Sequence, residues 1–278
     1  MPELPEVETI IRDLKKSPFQ NMEIVDIKVT WPKTVRDYSV EEFKDELIGN
    51  SIKDFGRRAK YLVFSISNGK TLILHLRMTG KLILHDQGDS LEEHDRVVYY
   101  FENGLQLHYN DTRKFGRFYL KEDPQEILGK LGPEPLGENF TLARFRKDLS
   151  KRSRMIKSLL LDQSFIAGLG NIYTDEALWE AGIHPKQSAD LIPKEKQKKL
   201  YQAIKNVLKR GIKNKGTTLG SGLGNFARMN QERGQNSDSL KVYQRDGEKC
   251  YYCGSKIKKT KVSQRSTHYC PHCQKKIE

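Results

Sequence analysis

Met1-Pro2-Glu3-Leu4-Pro5-Glu6-Val7-Glu8 opens the chain, and its reading sets both the fold and the chemistry that follow. As local structure it is a proline-rich lead-in to a helix from Val7 to Lys16, with Glu6 and Glu8 favourable near the positive end of the helix dipole. As chemistry it is a candidate nucleophile. Loss of Met1 exposes Pro2 as a free secondary amine beside the Glu3 carboxylate. A terminal amine titrates near about 7.7–8, against about 10.4 for lysine, so a substantial fraction is neutral near pH 7. Free proline is more basic than that generic figure, so its site has to lower it. A proline amine attacking a carbonyl-like carbon gives an iminium that keeps its charge, an electron sink for later eliminations. Retained Met1 would make the same nitrogen a tertiary amide, so processing in the cell is expected.

Outward from this start, residues 20–121 read as β. Alternating or apolar runs fall at Tyr61–Ile66, Thr71–Leu76, Lys81–Leu84, Arg96–Phe101 and Leu105–Tyr109. Asn68-Gly69 and Asn103-Gly104 separate successive runs as hairpin signals. The pattern predicts an antiparallel sandwich, residues 1–125, with the first helix packed against it. Residues 126–140 form a Pro/Gly-rich inter-domain linker. From Thr141 the period becomes helical. Short amphipathic helices are expected at Leu142–Leu149 and Arg154–Leu161, one capped by Asn171 and running to Ala181, and a long one from Pro193 to about Ile212. Residues 213–240 read as a long polar, Gly-rich loop of the kind that is functional or disordered. The fold class is therefore α+β multidomain, with a helical domain over 141–240.

The formal charge of +13 is unevenly spread. Residues 1–125 carry 19 basic and 21 acidic side chains, residues 126–240 carry 20 and 12, and residues 241–278 carry 10 and 3. A basic C-terminal half points to a polyanion, most economically nucleic acid, although a solvated lysine-rich surface gives the same counts. No run of residues approaches the roughly 18 apolar positions of a membrane span, and the acidic start is unlike a secretory signal. A cytoplasmic, nucleoid-associated monomer is expected.

Cys250, Cys253, Cys270 and Cys273 form Cys-x2-Cys-x16-Cys-x2-Cys, inside the window for one tetrahedral four-thiolate zinc site. Two disulfides are the bland alternative, disfavoured because nothing points to an oxidising compartment. With four thiols available, His268 and His272 are expected to face DNA or solvent.

Ordered motifs along nearly the whole chain resemble the formamidopyrimidine-DNA glycosylase family (Fpg/MutM). They are the PELPEVET start, Gly56-Arg57-Arg58-Ala59-Lys60-Tyr61, HLRMTG at 75–80, DTRKFGR at 111–117, LGPEPL at 131–136, GLGNIYTDEALW at 168–179 and QRSTHYCPHCQ at 264–274. The PELPEV start resembles this branch rather than the endonuclease VIII relatives. The resemblance implies a β-sandwich, a helix–two-turn–helix domain and a zinc finger, with duplex DNA carrying an oxidised base or abasic site between domains.

By that resemblance Pro2 attacks C1′ of the damaged nucleotide and Glu3 donates or shuttles the proton. Lys60 resembles a lysine that contacts DNA and assists elimination, and Arg265 a finger arginine that grips a phosphate and assists the second elimination, where a planar guanidinium suits the oxyanion. Met78, Arg113 and Phe115 resemble the set that fills the gap left by an extruded base. His94, Arg152 and Lys157 match positions on the DNA path. Asn171, after a Gly-rich turn at a helix N-terminus, is a phosphate site; its bland reading is an ordinary N-cap. Glu176 matches a family carboxylate with either a structural or a catalytic role. Taken singly, Met78 and Phe115 would be core residues, Lys60 a basic residue opening a strand, and Arg113 and Arg265 surface charges. One departure is Gly220–Ser239, GSGLGNFARMNQERGQNSDS, which shares only its entrance Gly216-Thr217-Thr218 and leaves lesion preference open.

The implied activity is a bifunctional DNA glycosylase and AP lyase that excises 8-oxoguanine and formamidopyrimidines through a Schiff base, then nicks by β,δ-elimination. A non-catalytic damage-specific DNA-binding protein on the same scaffold would lack the Pro2–Glu3 pair. A zinc-ribbon factor of transcription or the ribosome would explain residues 241–278 and nothing before them.

Overall fold

The structure is a computed structural model that describes residues 1–220 and 226–277. It divides into two compact units, Met1–Gly129 with Asn214–Ser237, and Lys130–Lys213 with Asp238–Glu278. The segment Asn214–Ser237 thus packs with the N-terminal unit rather than with the helices it follows.

In the first unit, α1 (Leu4–Leu14) begins three residues before the predicted Val7 and stops two short of Lys16. Glu3 is its N-cap, and with Glu6 it forms a capping box, which satisfies two of the amide donors a helix start leaves open. Its buried face is Leu4, Val7, Ile10, Ile11 and Leu14, the spacing of one helical stripe. Behind it are β1 (Ile24–Val29), β2 (Val35–Arg36), α2 (Val40–Asp45), β3 (Ile52–Arg58), β4 (Tyr61–Ile66), β5 (Thr71–His75), β6 (Lys81–His85), β7 (Asp95–Phe101), β8 (Gln106–Asn110) and β9 (Arg117–Lys121).

These strands make a four-stranded sheet, β1-β7-β8-β6, and a five-stranded sheet, β2-β9-β5-β4-β3. Their inner faces share one core of Ile27, Phe55, Leu62, Leu74, Val97, Leu107 and Phe118 with the α1 stripe. The sandwich is antiparallel except where β2 runs parallel to β9. At both Asn-Gly turns only the glycine takes positive φ, 86° at Gly69 and 83° at Gly104. A type I′ turn would need both residues there, so these are longer turns closed by a left-handed glycine. α3 (Gln125–Leu128) ends the unit inside the predicted linker.

The second unit holds α4 (Leu142–Leu149), α5 (Ile156–Leu160), α6 (Asn171–Glu180), α7 (Lys194–Lys213), and a hairpin of β10 (Lys258–Val262) and β11 (Arg265–Tyr269). α6 packs on α7 and β11. At the α6–α7 approach a Cβ on Gly211 would lie 2.5 Å from the Tyr173 hydroxyl, so only glycine admits that ring. Among the described residues, no helix is long and apolar enough to cross a membrane.

Candidate active site and zinc centre

At the N-terminus the capping geometry also builds a polar pocket. Pro2, Glu3 and Glu6 are buried. Glu6 Oε2 accepts the Glu3 backbone N–H at 2.8 Å, and its Oε1 accepts the Thr217 backbone N–H at 2.8 Å. One carboxylate therefore ties the start of the chain to the segment after α7. Gly216 permits the approach: its φ is 84°, and a Cβ there would lie 2.7 Å from the Phe226 ring and 3.1 Å from Glu6 Cγ. Beyond it, Thr218 Oγ1 donates to the Phe226 carbonyl at 2.7 Å and accepts the Gly234 N–H at 2.8 Å. The described parts of the predicted loop are thus fixed by hydrogen bonds. The divergent stretch Gly220–Ser239 is described at Gly220 and from Phe226 onward, and residues 221–225 lie outside the described residues.

Burial lowers the proton affinity of the terminal amine, opposed by the charges of Glu3 and Glu6 and assisted by Lys60 and Arg113. The sequence-predicted Glu3, Lys60 and Arg113 therefore all act on the terminal amine, here that of Met1, one residue before the buried Pro2. Lys60 is only 5% exposed and sits in the two-residue β3–β4 turn closed by the Arg58–Tyr61 pair. Ala59 takes φ 53° there, and its carbonyl receives the Arg57 guanidinium at 3.0 Å while Glu8 holds the same guanidinium. His75, beside this turn, has its pKa pushed down to about 3, chiefly by burial and then by Arg77 and Lys60. It is a neutral acceptor for the Arg77 N–H at 3.0 Å.

Met78 and Phe115 are exposed at 36% and 45%, not core, and the Arg113 guanidinium lies over the Phe115 ring at 4.7 Å. Their loops are organised by Asp111, whose side chain the sequence reading did not single out and which has no exposed surface. Its carboxylate accepts the Thr79 hydroxyl, the Arg113 and Gly116 N–H groups and the Tyr109 hydroxyl. A Cβ on Gly116 would sit 1.6 Å from that hydroxyl. A carboxylate accepting two backbone N–H groups and two hydroxyls at once is a turn-builder. His94 lies in a shallow cavity with Thr30, Glu92, Arg96 and Lys114, its Nδ1 3.2 Å from the Arg96 guanidinium and its carbonyl accepting the Asp111 N–H at 2.9 Å.

In the second unit α6 organises the remaining predicted residues. Gly170, not Asn171, is the N-cap, and the Asn171 side chain donates to the Ser266 carbonyl at 2.9 Å. Lys157 has no exposed surface. Its ammonium lies 2.6 Å from Asp175 Oδ1 and 3.0 Å from the same Ser266 carbonyl. Asp175 Oδ2 accepts the His268 N–H at 2.9 Å. His268, expected to face DNA or solvent, is 2% exposed and packs on Tyr243 at 5.1 Å between ring centres. The β11 register turns it inward, while His272 is exposed as expected. Glu176 accepts the N–H groups of Lys241, Val242 and Tyr243 at 2.8, 2.9 and 2.9 Å. Burial raises its pKa and those three donors oppose the rise, so its role here is to anchor backbone. Arg152 and Arg265 are exposed.

The four cysteine sulfurs lie within 4.8 Å of one another, with Cys250–Cys273 at 4.0 Å and Cys253–Cys270 at 3.4 Å. Zinc–sulfur bonds of about 2.3 Å place tetrahedral sulfurs about 3.8 Å apart, whereas a disulfide needs about 2.05 Å. The Trp179 indole and the Tyr252 N–H point at Cys250 Sγ, and the Cys273 N–H at Cys270 Sγ. Such donors suit thiolates bound to a cation. The donor set fits one structural zinc ion.

Known proteins agree with this geometry. Residues 1–118 match the family described as the formamidopyrimidine-DNA glycosylase N-terminal domain, residues 131–222 its H2TH domain, and residues 247–276 the zinc finger found in FPG and IleRS. A formamidopyrimidine-DNA glycosylase from Protochlamydia amoebophila is 48% identical over 99% of this chain and 100% of its own length. Another, from Pelotomaculum thermopropionicum, is 44% identical over 99% of each. Among solved structures, a mutant Lactococcus lactis FPG in complex with a Fapy-dG-containing DNA is similar at TM-score 0.92 and 40% identity, covering 99% of this chain and 100% of that one. A MutM in complex with DNA containing carbocyclic 8-oxo-G is similar at TM-score 0.91 and 41% identity, with the same coverage.

Proposed function

The chain belongs to the formamidopyrimidine-DNA glycosylase family and is a DNA glycosylase of base excision repair, and from that premise we propose that it is bifunctional, removing an oxidised purine and then nicking the strand. The observation that carries this reading is the buried Pro2–Glu3 start, where two carboxylates and two cations act on the terminal amine, which in this structure is that of Met1. Once Met1 is removed, the Pro2 nitrogen becomes the terminal amine of that environment. Burial of an amine favours its neutral form, the form a nucleophile requires.

The Pro2 nitrogen attacks C1′ as the glycosidic bond breaks and the base leaves with a proton. Glu3 is placed to supply or relay protons as the sugar ring opens to an iminium. Loss of a C2′ proton then expels the 3′ phosphate, and a second elimination expels the 5′ phosphate. Hydrolysis of the remaining iminium frees Pro2. Lys60 serves the eliminations as a cation beside the amine. Met78, Arg113 and Phe115 fill the space of the extruded nucleotide, while the exposed Arg265 holds a phosphate and assists the second elimination, and Asn171 holds a phosphate. His94 and Arg152 lie along the duplex path. The substrate is double-stranded DNA with 8-oxoguanine, a formamidopyrimidine or an abasic site, encountered in the cytoplasm at the nucleoid.

Borohydride trapping on a duplex with one 8-oxoguanine, followed by peptide mapping, tests the reading. The adduct is expected on Pro2. An adduct on a lysine, or Pro2→Gly trapping as well as the unaltered chain, removes proline as the essential nucleophile, and DNA binding without any adduct would make the protein a non-catalytic binder.

A further inference from the structure

We infer that Lys157 acts as a positioning residue, fixing the backbone turn that carries Arg265, and does not itself bind DNA. The inference rests on the proposed role of Arg265 in the eliminations. Arg265 pairs with Val262 across a two-residue turn, whose residues Ser263 and Gln264 both have positive φ, 47° and 61°. Asn-Gly or Asp-Gly is the preferred occupant of such a turn, because left-handed backbone is unfavourable for other side chains. Serine and glutamine stay there only if neighbours over-determine the conformation.

Three side chains from α5 and α6 do so. The Ser158 hydroxyl is 2.6 Å from the Ser263 hydroxyl on one side of the turn. On the other side, Lys157 and Asn171 both donate to the carbonyl of Ser266, the residue after Arg265. The Lys157 ammonium gets its own anchor from Asp175, and Asp175 in turn holds the His268 N–H two residues further along β11. Lys157 and Asp175 both have fully buried side chains. A lysine so enclosed has no face to offer a phosphate. Its charge is neutralised by Asp175 inside the protein, and it reaches the turn through the Ser266 carbonyl. A guanidinium on a long flexible stem is useful only if its backbone origin is fixed, and a displacement of about 1 Å can cost on the order of 100-fold in rate.

The test is a double-substitution cycle on a duplex with a preformed abasic site, resolving the β-elimination product from the β,δ-elimination product. Zinc content is measured for every variant. Lys157→Met is expected to slow formation of the β,δ product by about 10- to 100-fold while borohydride trapping changes far less. In an Arg265→Ala background the same change is expected to cost less than about twofold, because the group it positions is gone. If Lys157→Met strands Asp175 and the variant loses zinc, Lys157→Met/Asp175→Asn takes its place in the cycle. That pair removes both charges and leaves an amide oxygen for the His268 N–H. Losses that multiply across the cycle would mean that Lys157 works independently of Arg265, which overturns the inference alone. So would a zinc-loaded Lys157→Met of full activity. Arg265→Ala with unaltered elimination would instead overturn the Arg265 reading, and this inference with it.

Discussion

The backbone N–H of Thr217 ends on Oε1 of Glu6, 2.8 Å away and 211 residues distant in sequence. The other oxygen of the same carboxylate holds Glu3. Placement of the segment after α7 and placement of the proposed proton donor are therefore one event.

Replacing Glu6 by Gln leaves an NH2 group facing one of two backbone donors. Losing one charge-assisted bond of this kind costs about 1.5–3 kcal/mol, which corresponds to a roughly 10- to 100-fold slower excision of a formamidopyrimidine. The loss on a preformed abasic site, where no base has to be held, should be much smaller. Single-turnover rates on the two duplexes check this, and equal losses on both would show that Glu6 serves the amine alone.

Asp111→Asn keeps shape while removing acceptor capacity from four donors. Denaturant unfolding should show a loss of about 1–3 kcal/mol, with zinc content unchanged. A loss below about 0.5 kcal/mol would place the organisation of the Met78 and Phe115 loops elsewhere.

Acidification should weaken the fold through His75. Its folded pKa of about 3 lies below the ordinary 6.5, so between those values the unfolded chain binds a proton that the folded chain refuses. Stability then falls as pH falls through that window, with a slope approaching about 1.4 kcal/mol per pH unit. His75→Asn should flatten the dependence between pH 6.5 and 5. The same slope in both chains would assign acid sensitivity to other groups.

Zinc removal, or Cys270→Ser, should abolish DNA binding while the β-sandwich still unfolds cooperatively, because structural zinc couples to the folding of its own module. Metal analysis should give one zinc per chain. Active protein without zinc is the contrary result.

Arg265→Ala should weaken binding evenly across flanking sequences and lower the slope of log affinity against log salt by about one unit. Asn171→Ala removes a neutral group, so affinity should drop with little change in slope. Titrations at several salt concentrations on abasic-analogue duplexes separate the two. An intact slope with altered lesion preference would make Arg265 a base reader.

Much of this was legible in the sequence, for identifiable reasons. The apolar runs Tyr61–Ile66 and Thr71–Leu76 and the helical stripe of α7 are strong signals, and the structure has β4, β5 and α7 there, with β5 ending one residue earlier at His75. The cysteine spacing gave the metal set directly. β1 and β3 were hidden because a register shift beside Asp26 and another beside Lys53 break their alternation, and β9 because its five residues alternate but begin and end on charges, Arg117 and Lys121. The roles of Glu6, Asp111 and Asp175 were equally hidden. Each depends on a backbone amide brought from elsewhere in the fold, and no local pattern in the chain announces which carboxylate will meet it.

Asp175 and Glu176 are neighbours on α6, yet one holds β11 and the other the N–H groups of Lys241 to Tyr243. The last 38 residues are thus gripped at both their entry and their returning strand by two successive side chains of a helix that precedes them in the chain. A cassette exchange that grafted another protein's zinc module at residue 240 would therefore import a hairpin with no matching grip. A working chimera has to carry α6 with the module, so the heritable unit is the helix and finger together.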